Sequence, residues 1–228
     1  MNMDMGCPAE KAKKYLEILC NQIPNRRVGS EGNLFAIAFF IETIKSFGFD
    51  AECTEFQCID WQSKGANLSA NGTSFDAQVS PYSLGANVQA PLAVASSVAE
   101  LETLDISGKI LLMRDELTKE QFLPRNFPFF RVEVQQKIIL LLESKKPLAI
   151  ITATTRNPEM AGALYPFPVF EDGDFDIPSV YITEEAGIRL AEFRAWQVSL
   201  KIDAERMPSY GGNVVARKGK KSRERVVL

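Results

Sequence analysis

Apolar residues recur at spacings of three and four over residues 8–23. Ala12, Tyr15, Leu16, Leu19 and Ile23 share one side of a helical turn, which predicts an amphipathic helix. Pro8 suits its first position, and Pro24-Asn25 stops it. A second helix is expected after Ser30, a suitable N-cap, with Leu34, Ile37, Ala38, Ile41 and Ile44 as its buried stripe. Phe39 and Phe40 widen that stripe, and Gly48 ends the helix. Residues 51–59 then read as a strand.

Beyond Trp61 the pattern shortens. β-prone segments are expected near 66–70, 74–79, 91–96 and 109–114, with Asn71-Gly72 turning between the first two. A helix over 131–144, a strand over 148–153, a strand over 179–182, a helix over 184–194 and a strand over 197–203 complete an alternating stretch. A last strand covers 211–217, and 223–228 opens another. Strands alternating with helical crossovers predict an α/β fold whose β-rich part is a mixed sheet or a partly open barrel.

Composition narrows what such a fold can do. The 228 residues are 46% hydrophobic, enough for a sizeable core, and the net charge of −3 argues against a nucleic-acid partner. No apolar run reaches membrane-spanning length, so no membrane is expected. The N-terminus lacks a basic region followed by an apolar stretch, which points to the cytoplasm. Cys7, Cys20, Cys53 and Cys58 form no C-x-x-C pair and are expected to be free, mostly buried thiols.

The chain contains no histidine. That removes the usual general base near neutral pH, the Ser-His and Cys-His nucleophile pairs, and the commonest zinc ligand. The remaining candidates are weaker. Asp172, Asp174 and Asp176 alternate like the start of a calcium loop, but Ile177-Pro178 breaks that pattern, so a solvated loop is expected. The basic run 217–225 reads as a solvated turn. The segment 122–130, rich in Phe and Pro, is either a core-anchored loop or an exposed rim that grips a peptide, and 165–170 could play the same part. Asn67-Leu68-Ser69 and Asn71-Gly72-Thr73 match the glycosylation acceptor pattern, which means nothing without secretion. Glu116 with Glu120, and Glu184 with Glu185, read as surface charges.

Both ends of the chain resemble a known family. Arg27-Val28-Gly29-Ser30-Glu31-Gly32-Asn33, then an apolar helix ending at Phe47-Gly48-Phe49, is similar to the entry of two-zinc aminopeptidases that carry a protease-associated domain. Gly212-Asn213-Val214-Val215-Ala216-Arg217-Lys218-Gly219 resembles the strand that re-enters the peptidase domain. Between them, Ala90-Pro91-Leu92-Ala93, Ser107-Gly108-Lys109-Ile110-Leu111-Leu112, Lys146-Pro147-Leu148-Ala149-Ile150-Ile151 and Ile177-Pro178-Ser179-Val180 resemble the inserted domain.

The resemblance implies a protease-associated-like domain at 62–209, inserted between the opening elements of an incomplete zinc-exopeptidase domain at 1–61 and 210–228. In that family, histidines, aspartates and glutamates hold two zinc ions that activate water. No catalytic, cofactor-binding or metal residue is carried over to this chain, and zinc is expected only in a full-length parent. The function implied is the non-catalytic portion of an aminopeptidase, whose inserted domain rims the active site and influences peptide access. Its expected partners are peptides or the missing catalytic half. The alternative is a free-standing peptide- or protein-binding module without catalysis. A hydrolase using Asp/Glu pairs, as glycosidases do, finds no paired carboxylates at recognisable strand ends.

Overall fold

Local chemistry sets the first elements. The computed structural model describes residues 7–23, 25–123, 129, 131–154 and 175–219. Helix α1 (Pro8–Leu16) starts on its proline and loosens into a π-helical turn over Glu17–Gln22, so the expected single helix is two segments. Helix α2 (Glu31–Ser46) is capped by Ser30, whose Oγ accepts from the Asn33 N–H at 3.2 Å. Strand β1 runs unbroken over Asp50–Ala70, joining the two segments expected at 51–59 and 66–70. The last strand, β8, runs over Gln197–Arg217 and likewise merges two expected strands.

The chain divides into two compact units. One comprises Met1–Asp60 with Pro208–Leu228, the other Trp61–Met207. Both long strands therefore contribute to both units.

In the second unit, β2 (Thr73–Phe75) pairs with β1 across the Asn71-Gly72 turn, and β3 (Gln78–Val79) pairs with β7 (Ser179–Thr183). Strands β4 (Ala86–Ala95), β5 (Ile110–Met113), β6 (Ala149–Thr154) and β7 lie parallel and in register, and β8 closes antiparallel on β4. The strand order is β2-β1-β8-β4-β5-β6-β7-β3. Strands β2 and β3 are thus opposite edges of the sheet, yet only Asp76 and Ala77 separate them in sequence. Two residues span no more than about 7 Å beyond their neighbours. The sheet must therefore curl until its edges almost meet, which is a mixed, partly open barrel.

Period-two alternation gives this unit two cores. Ile110, Leu112, Ala149, Ile151 and Ala153 face one side, with Ala186 and Leu190 of helix α5 (Glu184–Ala191) packed among them. Leu111, Met113 and Ile150 face the other, under Leu101 of helix α3 (Val98–Thr103) and Ile138, Ile139 and Leu142 of helix α4 (Glu133–Lys145). Gly187 lets α5 approach the sheet: a Cβ there would sit 2.3 Å from the Ala153 Cβ. Lys145 holds the end of α3 by donating to the Glu102 and Leu104 carbonyls at 2.8 and 2.7 Å.

Two expectations fail in the first unit. The α2 stripe is not buried: Leu34 is exposed, Ile37, Ile41 and Ile44 are only half-buried, and no residue of the helix is fully enclosed. The stripe is apolar, but the described residues of this unit only partly cover it. The cysteines form no disulfide, as expected, but they are not mostly buried. Cys7, Cys20 and Cys53 are exposed and Cys58 is intermediate, because each lies on an element of the same thinly covered unit.

Equal truncations in the two units should therefore behave differently. Leu112→Ala is expected to cost about 2–5 kcal/mol, whereas Leu34→Ala costs no more than about 0.5 kcal/mol. Urea unfolding of the two variants checks this, and equal losses would contradict the assignment of the core.

Candidate functional site

Parallel strands direct their carboxyl ends to one rim, where open α/β sheets usually bind ligands. Here that rim is formed by the ends of β4, β5, β6 and β7. Arg114 follows β5, and Glu184 opens α5 directly after β7. The Arg114 guanidinium reaches past β6 to donate from Nη2 to Glu184 Oε1 at 2.6 Å. Both side chains are more than four-fifths buried, at 16% and 19% exposure. Thr183 caps α5 by accepting the Ala186 N–H at 3.2 Å. Glu184 in the first turn also faces the positive end of that helix.

The ion pair forms a latch at this rim. Each charge of the pair neutralises the other, and Arg114 Nε and Glu184 Oε2 are sealed from solvent without a hydrogen-bond partner. Glu184 therefore departs from the surface role expected of it, while Glu185, Glu116 and Glu120 are exposed as expected. A second tie lies near the other end of the sheet. Arg206 on β8 donates to the Tyr82 and Phe175 carbonyls, both at 2.6 Å, and to Asp176 at 2.8 Å. Trp61 Nε1 donates to the Ser83 carbonyl at 2.8 Å, and the Trp61 and Tyr82 rings pack at 5.8 Å. On the outer turn before β5, the Lys109 ammonium and then the Ser107 N–H hold the Asp105 carboxyl below the usual carboxylate range.

The motif at residues 27–33 is backbone architecture. A Cβ on Gly32 would lie 1.8 Å from the Asn25 carbonyl oxygen, so only glycine lets the preceding chain cross the first turn of α2. Ser30 Oγ accepts the Asn33 N–H and itself donates to the Arg27 carbonyl at 2.7 Å. Arg27 pairs with Asp60 at 3.3 Å, and Ser209 Oγ donates to the Gly29 carbonyl at 2.6 Å. These contacts bind the start of α2 to β1 and β8 within the first unit.

The other nominated residues stay apart. Of the acidic cluster, Asp172 and Asp174 lie outside the described residues, and Asp176 is occupied by Arg206. Residues 165–170 also lie outside. In the 122–130 segment, Phe122 is buried in the outer core and Phe129 is 83% exposed. From the basic run, Arg217 pairs with Glu52 at 2.7 Å, and Lys218 donates to the Phe47 carbonyl at the end of α2. Asn67 and Asn71 are both exposed. A shallow groove of about 550 Å³ runs along α4, lined by Leu140 and Leu141 with Arg131, Glu133 and Lys137 beside them.

Among the described residues, no group of three or more Cys, Asp or Glu side chains is placed to hold a metal ion. No helix among the described residues is long and apolar enough to cross a membrane.

No protein-family profile matches the chain, and no curated protein matches it in sequence. Solved structures do match its fold. An aminopeptidase from Aneurinibacillus sp. strain AM-1 aligns at TM-score 0.67 and 20% identity, over 95% of this chain and 49% of its own. BSAP, a zinc aminopeptidase from Bacillus subtilis, aligns at 0.66 and 17%, over 97% and 50%. A peptidase M28 precursor from Shewanella amazonensis SB2B aligns at 0.61 and 19%, over 88% and 48%. This chain thus shares a mixed α/β fold with these proteins and spans about half their length.

The latch makes a direct forecast. Arg114→Ala strands the Glu184 carboxylate and should cost about 3 kcal/mol, while Arg114→Met with Glu184→Met recovers most of that loss. A double-mutant cycle in urea reads the coupling. Additive losses would show that the two side chains do not depend on each other.

Proposed function

We propose that this chain is the non-catalytic portion of a zinc-dependent aminopeptidase, in which the unit Trp61–Met207 acts as a protease-associated domain that rims the active site and influences which peptides enter. The observation that carries this reading is the breadth of the structural likeness. It extends over 95% and 97% of this chain against two aminopeptidases, and therefore includes both units rather than one common sheet. The motif at 27–33 and the strand at 212–219 supply the same order of elements at both ends.

The chemistry agrees with a supporting role. Hydrolysis by zinc-activated water needs nitrogen and carboxylate ligands around an open position. This chain offers no imidazole and no described carboxylate cluster to build one. Its own contribution is shape: a barrel with two cores and a Phe-bearing segment at 122–130 that leaves Phe129 exposed. A second reading, a free-standing peptide- or protein-binding module, draws support from the completeness of those cores, which lie wholly within Trp61–Met207.

Purified free of metal and then loaded with zinc, the 228-residue chain should cleave aminoacyl 4-nitroanilides no faster than buffer. Enzyme-like turnover would overturn the reading. In an active polypeptide containing these residues, Phe129→Ala should raise KM for tripeptides several-fold and leave kcat on aminoacyl 4-nitroanilides unchanged. An unchanged KM for every peptide length would remove the access role.

A further inference from the structure

One turn of the barrel carries a side chain and a backbone nitrogen that can react with each other. Asn71-Gly72 is the one Asn-Gly step in the 228 residues. Both residues hold positive φ, at 47° and 79°, and they link Ala70 to its pairing partner Thr73. That is a two-residue hairpin of type I′. Both residues are exposed, and a Cβ built on Gly72 would meet no described atom within 4 Å. Glycine therefore leaves the nitrogen that follows Asn71 unscreened by any side chain of its own.

The strand beyond the turn is weakly held. β2 has three residues, lies at an edge of the sheet and pairs with β1 on one side only. Short, exposed elements with few neighbours open locally far more often than core strands do. Each opening frees Asn71 from its turn conformation and lets its side chain swing over the Gly72 nitrogen. We infer that Asn71 is a site of spontaneous deamidation, and that the modified turn loosens the seam of the barrel. The Gly72 backbone nitrogen attacks the Asn71 side-chain carbonyl carbon. A C–N bond forms, the bond to the side-chain amide nitrogen breaks, and ammonia leaves with the proton from the Gly72 N–H. Water then opens the five-membered imide. Opening at the side-chain carbonyl gives aspartate. Opening at the backbone carbonyl gives isoaspartate, whose main chain runs through Cβ and is one atom longer. One water is consumed and one ammonia released, with no oxidant, reductant or cofactor.

The location of the turn decides what the product does. A hairpin of this kind fixes its register through the length of its loop. One extra main-chain atom upsets the match of Ala70 with Thr73 and, beyond it, of Leu68 with Phe75. Leu68 and Phe75 both belong to the inner core. The Phe75 ring packs against Phe193, with centroids 6.2 Å apart, and lies under the Arg189 guanidinium at 5.8 Å. Only Asp76 and Ala77 then separate β2 from β3, the opposite edge of the sheet. Pairing lost at the turn is therefore felt where the two edges come together. Other asparagines lack this combination. Asn67 precedes the buried Leu68, and Asn87 sits inside β4, paired with Lys201 of β8. The inference is independent of the aminopeptidase reading, since it needs only the turn and water.

The test keeps the 228-residue chain for several weeks in mildly alkaline buffer. Each asparagine is followed by peptide mass spectrometry with electron-transfer fragmentation, which separates isoaspartate from aspartate. Isoaspartate should accumulate at Asn71 about tenfold faster than at Asn67 or Asn87, because only glycine leaves the attacking nitrogen open. Amide hydrogen exchange over 73–75 and 78–79 should become several-fold faster in the aged protein. Asn71→Gly keeps a residue that accepts positive φ and removes the side-chain amide, so its exchange should not change on ageing. An Asn71 that stays intact, or that reacts no faster than Asn67, would overturn the inference. Isoaspartate at position 71 with unchanged exchange in β2 and β3 would do the same. So would a sugar on the Asn71 amide in protein from its own host, since a glycosylated amide at Asn71-Gly72-Thr73 is shielded from this attack.

Discussion

The two-residue repeat of β5 and β6 is the constraint on which the folded state rests. Ile110 and Leu112 point one way, Leu111 and Met113 the other, and all four are fully buried. A strand apolar on both faces must have cover on both, as parallel sheets do. Helix α5 supplies it on the concave side, and α3 and α4 on the outside. Each crossover is thus required by the strand before it. The close approach at Gly187 and the latch between Arg114 and Glu184 then hold α5 to the rim of the same sheet.

The first unit obeys the same rule and fails to satisfy it. Its longest helix carries Leu34, Phe35, Ile37, Phe39, Phe40, Ile41 and Ile44, yet it buries no residue completely. Burial of apolar area yields roughly 25 cal/mol per Å², so side chains left half in water forfeit much of what would offset the entropy of ordering them. Polar contacts tie the unit together: Ser30 on Asn33 within one turn, and Arg27 on Asp60, Ser209 on Gly29 and Lys218 on the Phe47 carbonyl between distant parts of the chain. They fix the path of the chain without providing a core.

Much of this was legible in the sequence, and the failures share a cause. The Ser30 cap, the Gly48 stop and the Asn71-Gly72 hairpin carry local chemistry, so a short window suffices to find them. Helix α3 was missed although Ser97 and Glu100 stand at capping-box spacing; Ser97 Oγ accepts the Glu100 N–H, and the Glu100 carboxylate accepts the Ser96 N–H. Six residues are too few for periodicity to register. The full lengths of β1 and β8 do not show in the sequence, where each divides into two short β-prone segments, whereas the strands run unbroken through Gly65 and Pro208. The Arg114–Glu184 latch joins residues 70 positions apart and leaves no sequence signal at all. The exposure of α2 and of three cysteines was invisible for the same reason, since apolarity can be read from a sequence and cover cannot.

The absence of imidazole gives these observations a common direction. A chain without histidine can still bind, since hydrogen bonds, charge and apolar area need no group that titrates near neutrality. What it lacks is a side chain that both takes and returns a proton at that pH, or that donates a neutral nitrogen to a metal. The groups that replace it in this molecule are committed elsewhere: Glu184 to Arg114, Asp176 to Arg206, Asp60 to Arg27, Glu52 to Arg217. Each of these carboxylates spends its charge on a neighbouring guanidinium. Their charge holds helix starts and strands in place, so what these four carboxylates contribute to the molecule is geometry.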